Sequence, residues 1–201
     1  MEIIPALMPK KWGDIEWGVE QIVGLAKVVQ LDIMDGVFTK NATWPYGPND
    51  KESFDKILGE EQGMPLWEEI DYELDLMVAD ADEKFEDFMK LAPKRIIFHI
   101  EAMPNLKSFL ENLDQYYKDH IEFGVALNTT TPISAIEDVI PHVGFVQCMG
   151  IEKIGYQGNP FDERVLDQIA DLREKYPELT ISVDGAVSLE TVPHLLDAGA
   201  D

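Results

Sequence analysis

With a single cysteine, Cys148, in 201 residues, the chain can build neither a disulfide framework nor a cysteine-ligated zinc site, and it suits a reducing compartment, the cytoplasm. No stretch approaches eighteen consecutive apolar residues, and the opening MEIIPALMPKKW has no basic segment ahead of an apolar run. A membrane span or secretory leader is therefore not expected. Positive charge is scarce as well: 16 Lys and Arg stand against 39 Asp and Glu, a formal charge of −23 with a pI near 4.3. Nucleic acids and anionic membrane surfaces are held by cations that neutralise phosphate, so neither is an expected partner. The acidity is not a sign of disorder. Hydrophobic residues make up 45% of the chain and charged ones 27%, the balance of a folded globule with a solvated acidic surface.

What is present is an alternation of short apolar runs with amphipathic segments, the pattern of repeated βα units and a parallel sheet. Strands are expected at 3–8, 28–34, 72–78, 95–102, 122–128, 143–149 and 179–185. Helical stripes run through Phe85, Phe88, Met89 and Ala92, through Leu106, Phe109, Leu110, Leu113 and Tyr117, and through Val165, Leu166, Ile169, Leu172 and Tyr176. Side chains alternate faces along a strand. Leu31 and Ile33 therefore oppose Gln30, Asp32 and Met34, and the same split of apolar from polar recurs in the other strands. An open sheet covered by helices on both sides would be apolar on both faces, whereas these strands are apolar on one. A closed (β/α)8 TIM barrel accounts for this, with the apolar face under a ring of helices and the polar face lining an interior that opens at the C-terminal mouth.

Such barrels typically need about 250 residues, and Ala198-Gly199-Ala200-Asp201 stands where an eighth strand would begin. The expectation is one barrel domain over 1–201 that stops before its eighth strand and helix. Its two sheet edges would then be completed by a longer natural chain or by a partner copy in a homo-oligomer. A long irregular stretch at 37–70, with the turn cluster Trp44-Pro45-Tyr46-Gly47-Pro48 and a short helix at Lys51–Leu58, follows the second strand. Its size suggests a functional loop or lid.

Asp32, Asp75 and Asp184 fall on the interior parity near strand ends, with Glu73 and Glu101 deeper or beside them. Ionised together in a dry mouth they would repel by several kcal/mol per close pair at intermediate dielectric. A bound cation, protonation of one member, or water would relieve them. Oxygen donors favour a divalent metal, with Gln30 completing the set. Two carboxylates flanking a substrate could remove a proton from carbon on one face and return one on the other, the logic of an epimerase. Met34, Met77 and Met149 share the interior parity and would line the site. The segment Glu152-Lys153-Ile154-Gly155-Tyr156-Gln157-Gly158-Asn159-Pro160-Phe161 runs into an amphipathic helix, and glycine amides at such a junction can cradle phosphate.

The ordered motifs Asp32-Ile33-Met34-Asp35-Gly36, Asp75-Leu76-Met77-Val78, Phe98-His99-Ile100-Glu101-Ala102, Gly155-Tyr156-Gln157-Gly158 and Val183-Asp184-Gly185 resemble those of ribulose-phosphate 3-epimerases, over essentially the whole chain. The resemblance implies a phosphate-binding barrel that interconverts ribulose 5-phosphate and xylulose 5-phosphate through a metal-bound enediolate. It implies Asp32 and Asp184 as acid–base pair and metal ligands, with Asp75 and Gln30 at the two remaining ligand positions. Met34, Met77 and Met149 match the methionine cap; Gly155, Gly158 and Gly185 match the phosphate cradle, beside Asn159; His99 matches a family position behind the direct contacts. Departures are informative. Gln30 and Asp75 stand where the family carries two metal-binding histidines, Ala6 replaces a serine, and Ala186 replaces the last glycine of Asp-Gly-Gly. Two oxygens in place of two nitrogens shift the expected metal from zinc towards magnesium or manganese. The expected function is a sugar-phosphate epimerase acting on a small phosphorylated sugar. The alternatives are a phosphosugar-binding barrel without turnover, serving as sensor or scaffold, and an epimerase or lyase for another phosphorylated sugar.

Overall fold

The computed structural model describes residues 1–48 and 51–201. Within them the apolar runs form β1 (Ala6–Leu7), β2 (Val28–Met34), β3 (Asp71–Met77), β4 (Arg95–His99), β5 (Glu122–Leu127), β6 (Phe145–Met149) and β7 (Thr180–Asp184). Each pairs in parallel with the next, in sequence order. Parallel neighbours need a crossover longer than a hairpin. The main crossover elements are α1 (Trp12–Ile22), α2 (Lys51–Leu58), α3 (Phe85–Met89), α4 (Leu106–Asn112), α5 (Gln115–His120) and α6 (Arg164–Lys175), and α7 (Val192–Ala198) follows β7. This is the expected α/β barrel architecture, short of an eighth unit. No helix among the described residues is long and apolar enough to cross a membrane.

The largest departures from the sequence expectation lie in two elements. The stripe from Leu106 to Tyr117 is not one helix, because the Asp114 carboxylate accepts from the Tyr116 amide at 2.8 Å and caps a new helix there. The first strand is only two residues long, and β7 does not pair with β1 among the described residues. Between these edges lies a cavity of about 390 Å³ lined by Ile4, Ala6, Val183 and Val187, among others.

Alternation sorts the strands as their pattern requires. Leu31, Ile33, Leu74, Phe98, Val146 and Cys148 are fully buried in one core with Ile15 and Val19 of α1 and Ile169 of α6. Each such side chain contributes roughly 1.5–3 kcal/mol by leaving water. The opposite parity fills the interior in layers. At the bottom a separate cluster of Ile97, Ala126 and Phe145 plugs the barrel. A Cβ at Gly124 would lie 2.4 Å from the Phe145 ring, so only glycine leaves room for that ring. Arg95 lies 4.4 Å over the Phe145 ring and pairs with Glu73 at 3.0 Å and Glu122 at 3.2 Å. It is the cation that the strand parity places beneath the acidic residues.

Candidate active site

Above this plug the interior is polar. The register sets Asp32 opposite Asp75, His99 opposite Ala126, and Ala126 opposite Gln147. Asp75 is fully buried, and both its oxygens are taken: Oδ1 lies 2.9 Å from His99 Nε2, and Oδ2 accepts from Gln147 Nε2 at 3.1 Å. Gln30 donates from Nε2 to Asp32 Oδ1 at 2.9 Å. On the far side of His99, Nδ1 stands 4.0 Å from Glu101 Oε2, while Glu101 Oε1 accepts from the Asn128 amide at 2.8 Å.

One layer higher, at the C-terminal mouth, a cavity of about 150 Å³ is lined by Asp32, Asp184, Met77, Met149, Gly155, Gly158, Asn159, Gly185 and their neighbours Ala6, Met8, Ile151, Tyr156, Gln157 and Ala186. The strand ends hold the two carboxylates in place. Thr43 donates its hydroxyl to the Asp32 carbonyl at 2.6 Å and accepts from the Met34 amide at 2.8 Å, locking the end of β2. The Asp184 carbonyl accepts from the Gly150 amide at 2.6 Å, tying β7 to the turn after β6. Over the top, the Asn41 amide donates to the Gly155 carbonyl at 2.7 Å. Gly155 has φ +83°, and a Cβ there would meet Thr39 at 2.9 Å, so this close approach of two loops requires glycine. Asn159 donates to the carbonyls of Lys153 and Tyr156 at 3.0 and 2.9 Å, and so braces the loop whose cavity it lines.

Both mouth carboxyls hold protons more tightly than ordinary aspartates. Asp184 is pushed up to about 6, chiefly by burial and then by the Asp75 charge, against help from the Gly185 amide and His99. Asp32 is pushed well above its ordinary value by burial, then by the charges of Asp184 and Asp75, with only the Gln30 hydrogen bond acting strongly the other way. Below them, burial lifts Glu73 to about 7 despite the Arg95 guanidinium. Burial alone would lower His99, but the charge and hydrogen bond of Asp75, with Glu101 and Asp184, hold it above its usual value. A site whose neighbours push paired carboxyls towards neutrality is suited to proton transfer near neutral pH.

The expected residues thus divide into two layers. Asp32, Asp184, Met77, Met149, Gly155, Gly158, Asn159 and Gly185 meet at one cavity. Gln30, Asp75, His99 and Met34 are buried and do not line it; Met34 supports the Gly155 loop from below. The expected four-membered metal set is therefore not assembled. Among the described residues no three His, Cys, Asp or Glu side chains are grouped to hold an ion. Asp75 spends both oxygens on His99 and Gln147, and Gln30 turns a donor rather than an acceptor towards Asp32. Two carboxylates fall short of the three protein ligands of a catalytic zinc site and of a calcium site's oxygen cage, so the residues present do not assemble the implied four-ligand metal site. Gln147 and Arg95 went unremarked in the sequence although the parity of β6 and β4 points both inward.

Ala186 follows Gly185 in a left-handed conformation, φ +54°, which a Cβ disfavours by about 1–3 kcal/mol. Replacing it with glycine removes that strain but restores about 0.4–1 kcal/mol of unfolded-chain entropy. Ala186→Gly is expected to raise the melting temperature by roughly 1–4 °C, read by thermal denaturation.

A sheet of parallel strands with its polar residues gathered at their C-terminal ends belongs to the α/β-barrel class, in which that end carries the chemistry. The model described as "Ribulose-phosphate 3 epimerase family" matches residues 2–201, and the chain belongs to that family. A ribulose-phosphate 3-epimerase of Eremothecium gossypii is 27% identical over 99% of this chain and 82% of its own length. One of Bacillus subtilis is 30% identical over 89% of this chain and 77% of its own. Among solved structures, a 3-hexulose-6-phosphate synthase superposes with a TM-score of 0.66 at 16% identity, covering 100% of this chain and 87% of the other; that likeness concerns the fold.

Proposed function

We propose that the chain epimerises a small phosphorylated ketose at the carbon next to its carbonyl, with D-ribulose 5-phosphate and D-xylulose 5-phosphate as the pair interconverted. The observation that carries this reading is the convergence of Asp32 and Asp184 on one cavity, both with raised proton affinity. Burial and the charges of Asp184 and Asp75 raise the proton affinity of Asp32, and in the proposed cycle it starts protonated while Asp184 starts ionised. Asp184 removes the proton from C3, giving an enediolate, and Asp32 delivers its own proton to the opposite face. The next turnover runs in the reverse direction, or the pair re-equilibrates with water. Among the described residues no Lys or Arg lines the cavity, so the phosphate is assigned to main-chain amides of the turns at Gly155, Gly158 and Gly185.

Incubation with ribulose 5-phosphate in deuterated water is expected to place deuterium at C3 of the xylulose 5-phosphate formed and progressively in recovered substrate, read by NMR. Thermal stabilisation by the sugar phosphate without any label would instead show a barrel that binds and does not turn over. Label appearing only with a different phosphoketose would reassign the substrate.

A further inference from the structure

We infer that this interior is built to work without a divalent cation: Asp75, His99 and Gln147 form a buried hydrogen-bonded frame, and Asp32 and Asp184 meet the substrate as an unmetallated carboxylate pair. The inference rests on the epimerase reading and deepens it. Its first support is the engagement of both Asp75 oxygens by buried partners. A carboxylate can only accept, and this one, with no exposure to solvent, receives His99 Nε2 at 2.9 Å and the Gln147 amide nitrogen at 3.1 Å. A cation drawing Asp75 towards itself would strip two buried donors of their partner and leave each with its desolvation uncompensated. The frame is braced further, since Phe38 packs against His99 with the rings tilted by 53° and their centroids 5.5 Å apart, and Glu101 is fixed by the Asn128 backbone amide.

The second support is the direction of Gln30. Its amide nitrogen is bonded to Asp32 at 2.9 Å, so the group facing that carboxylate is an N–H donor, which performs for the anion what a cation would. The third is the layering itself. Only Asp32 and Asp184 reach the cavity, while Gln30 and Asp75 lie beneath it. The positions that would complete a coordination shell have become part of the floor.

Metal content reads the inference without recourse to turnover. Protein purified without chelator is expected to carry substoichiometric zinc, manganese and iron by plasma mass spectrometry, and to show no saturable uptake of zinc or manganese by calorimetry. The paired substitution Gln30→His with Asp75→His adds two imidazoles beside two carboxylates, the donor number of tetrahedral zinc. It is expected to show saturable, near-stoichiometric zinc uptake by calorimetry, which the wild type lacks. Asp75→Asn is expected to lower the melting temperature by roughly 3–10 °C, through loss of a buried charge-assisted pair, and to leave metal content unchanged. One tightly held divalent ion per wild-type chain, or metal lost on Asp75→Asn, would overturn the inference. Deuterium exchange that persists in EDTA supports both readings. Metal-free protein that exchanges no label with any phosphoketose defeats the epimerase reading and leaves the frame intact.

Discussion

Asp184→Asn is expected to slow deuterium exchange at C3 by about 10²–10⁴-fold, the usual contribution of a positioned base. The amide keeps the shape of the side chain and its place at the end of β7, but it cannot take a proton from carbon. Asp32→Asn should lose a comparable factor in formation of the epimer, since the second proton transfer fails instead of the first, while Asp184 can still return solvent deuterium to the substrate on its own face. Neither change is expected to unfold the barrel. Burial and mutual repulsion already work against both charges, so removing either relieves a cost, and the melting temperature of each variant should match or exceed that of the wild type. A rate for Asp184→Asn within a few-fold of wild type would remove Asp184 from the chemistry. A collapsed melting temperature would make it a structural acid.

The protein is expected to be more stable at pH 5.5 than at pH 8. Glu73, 1% exposed, binds its proton up to about pH 7, and Asp184 up to about 6, whereas in the unfolded chain both ionise near pH 4. Between these limits the folded state holds more protons than the unfolded one. Stability is therefore fully present at the acid end of the window and is lost as pH rises through 6 and 7. A shift of about two units corresponds to about 3 kcal/mol for each group. Coupling between the acids makes their sum smaller than two independent terms. Asp162 pulls the other way, held down to about 2 by Arg164, but its contribution changes only in more acid solution. Taken with an overall charge of −23 that repels itself more strongly as pH rises, the net expectation is a fall in melting temperature of roughly 5–10 °C between pH 5.5 and pH 8. Thermal denaturation across that range at constant ionic strength measures it. A flat profile would mean that Glu73 and Asp184 titrate at ordinary values, and that the mouth is wetter than its packing implies.

Much of the site was legible before folding. Strand alternation is local, so the placement of Asp32, Asp75 and Asp184 inward and of Cys148 outward followed from spacing alone. The glycines at 155, 158 and 185 announced turns that other residues enter only with strain, and all three have positive φ. The depth of Asp75 was not legible in the same way. Its partners His99 and Gln147 are 24 and 72 residues away in sequence, and they reach it only because β3, β4, β5 and β6 pair in one particular register. Asp114 shows the same limit at smaller scale, since a helical stripe does not reveal that a carboxylate within it will cap a new helix.

The amino-acid order by itself determined the class of fold, the acidic interior and the two carboxyls at the mouth, because side-chain parity and helical period are set by neighbouring residues. Tertiary structure alone decided which oxygen meets which donor. Hydrogen bonds are satisfied atom by atom across strands distant in sequence, and at that level Asp75 and Gln30 became parts of the floor instead of ligands around an ion.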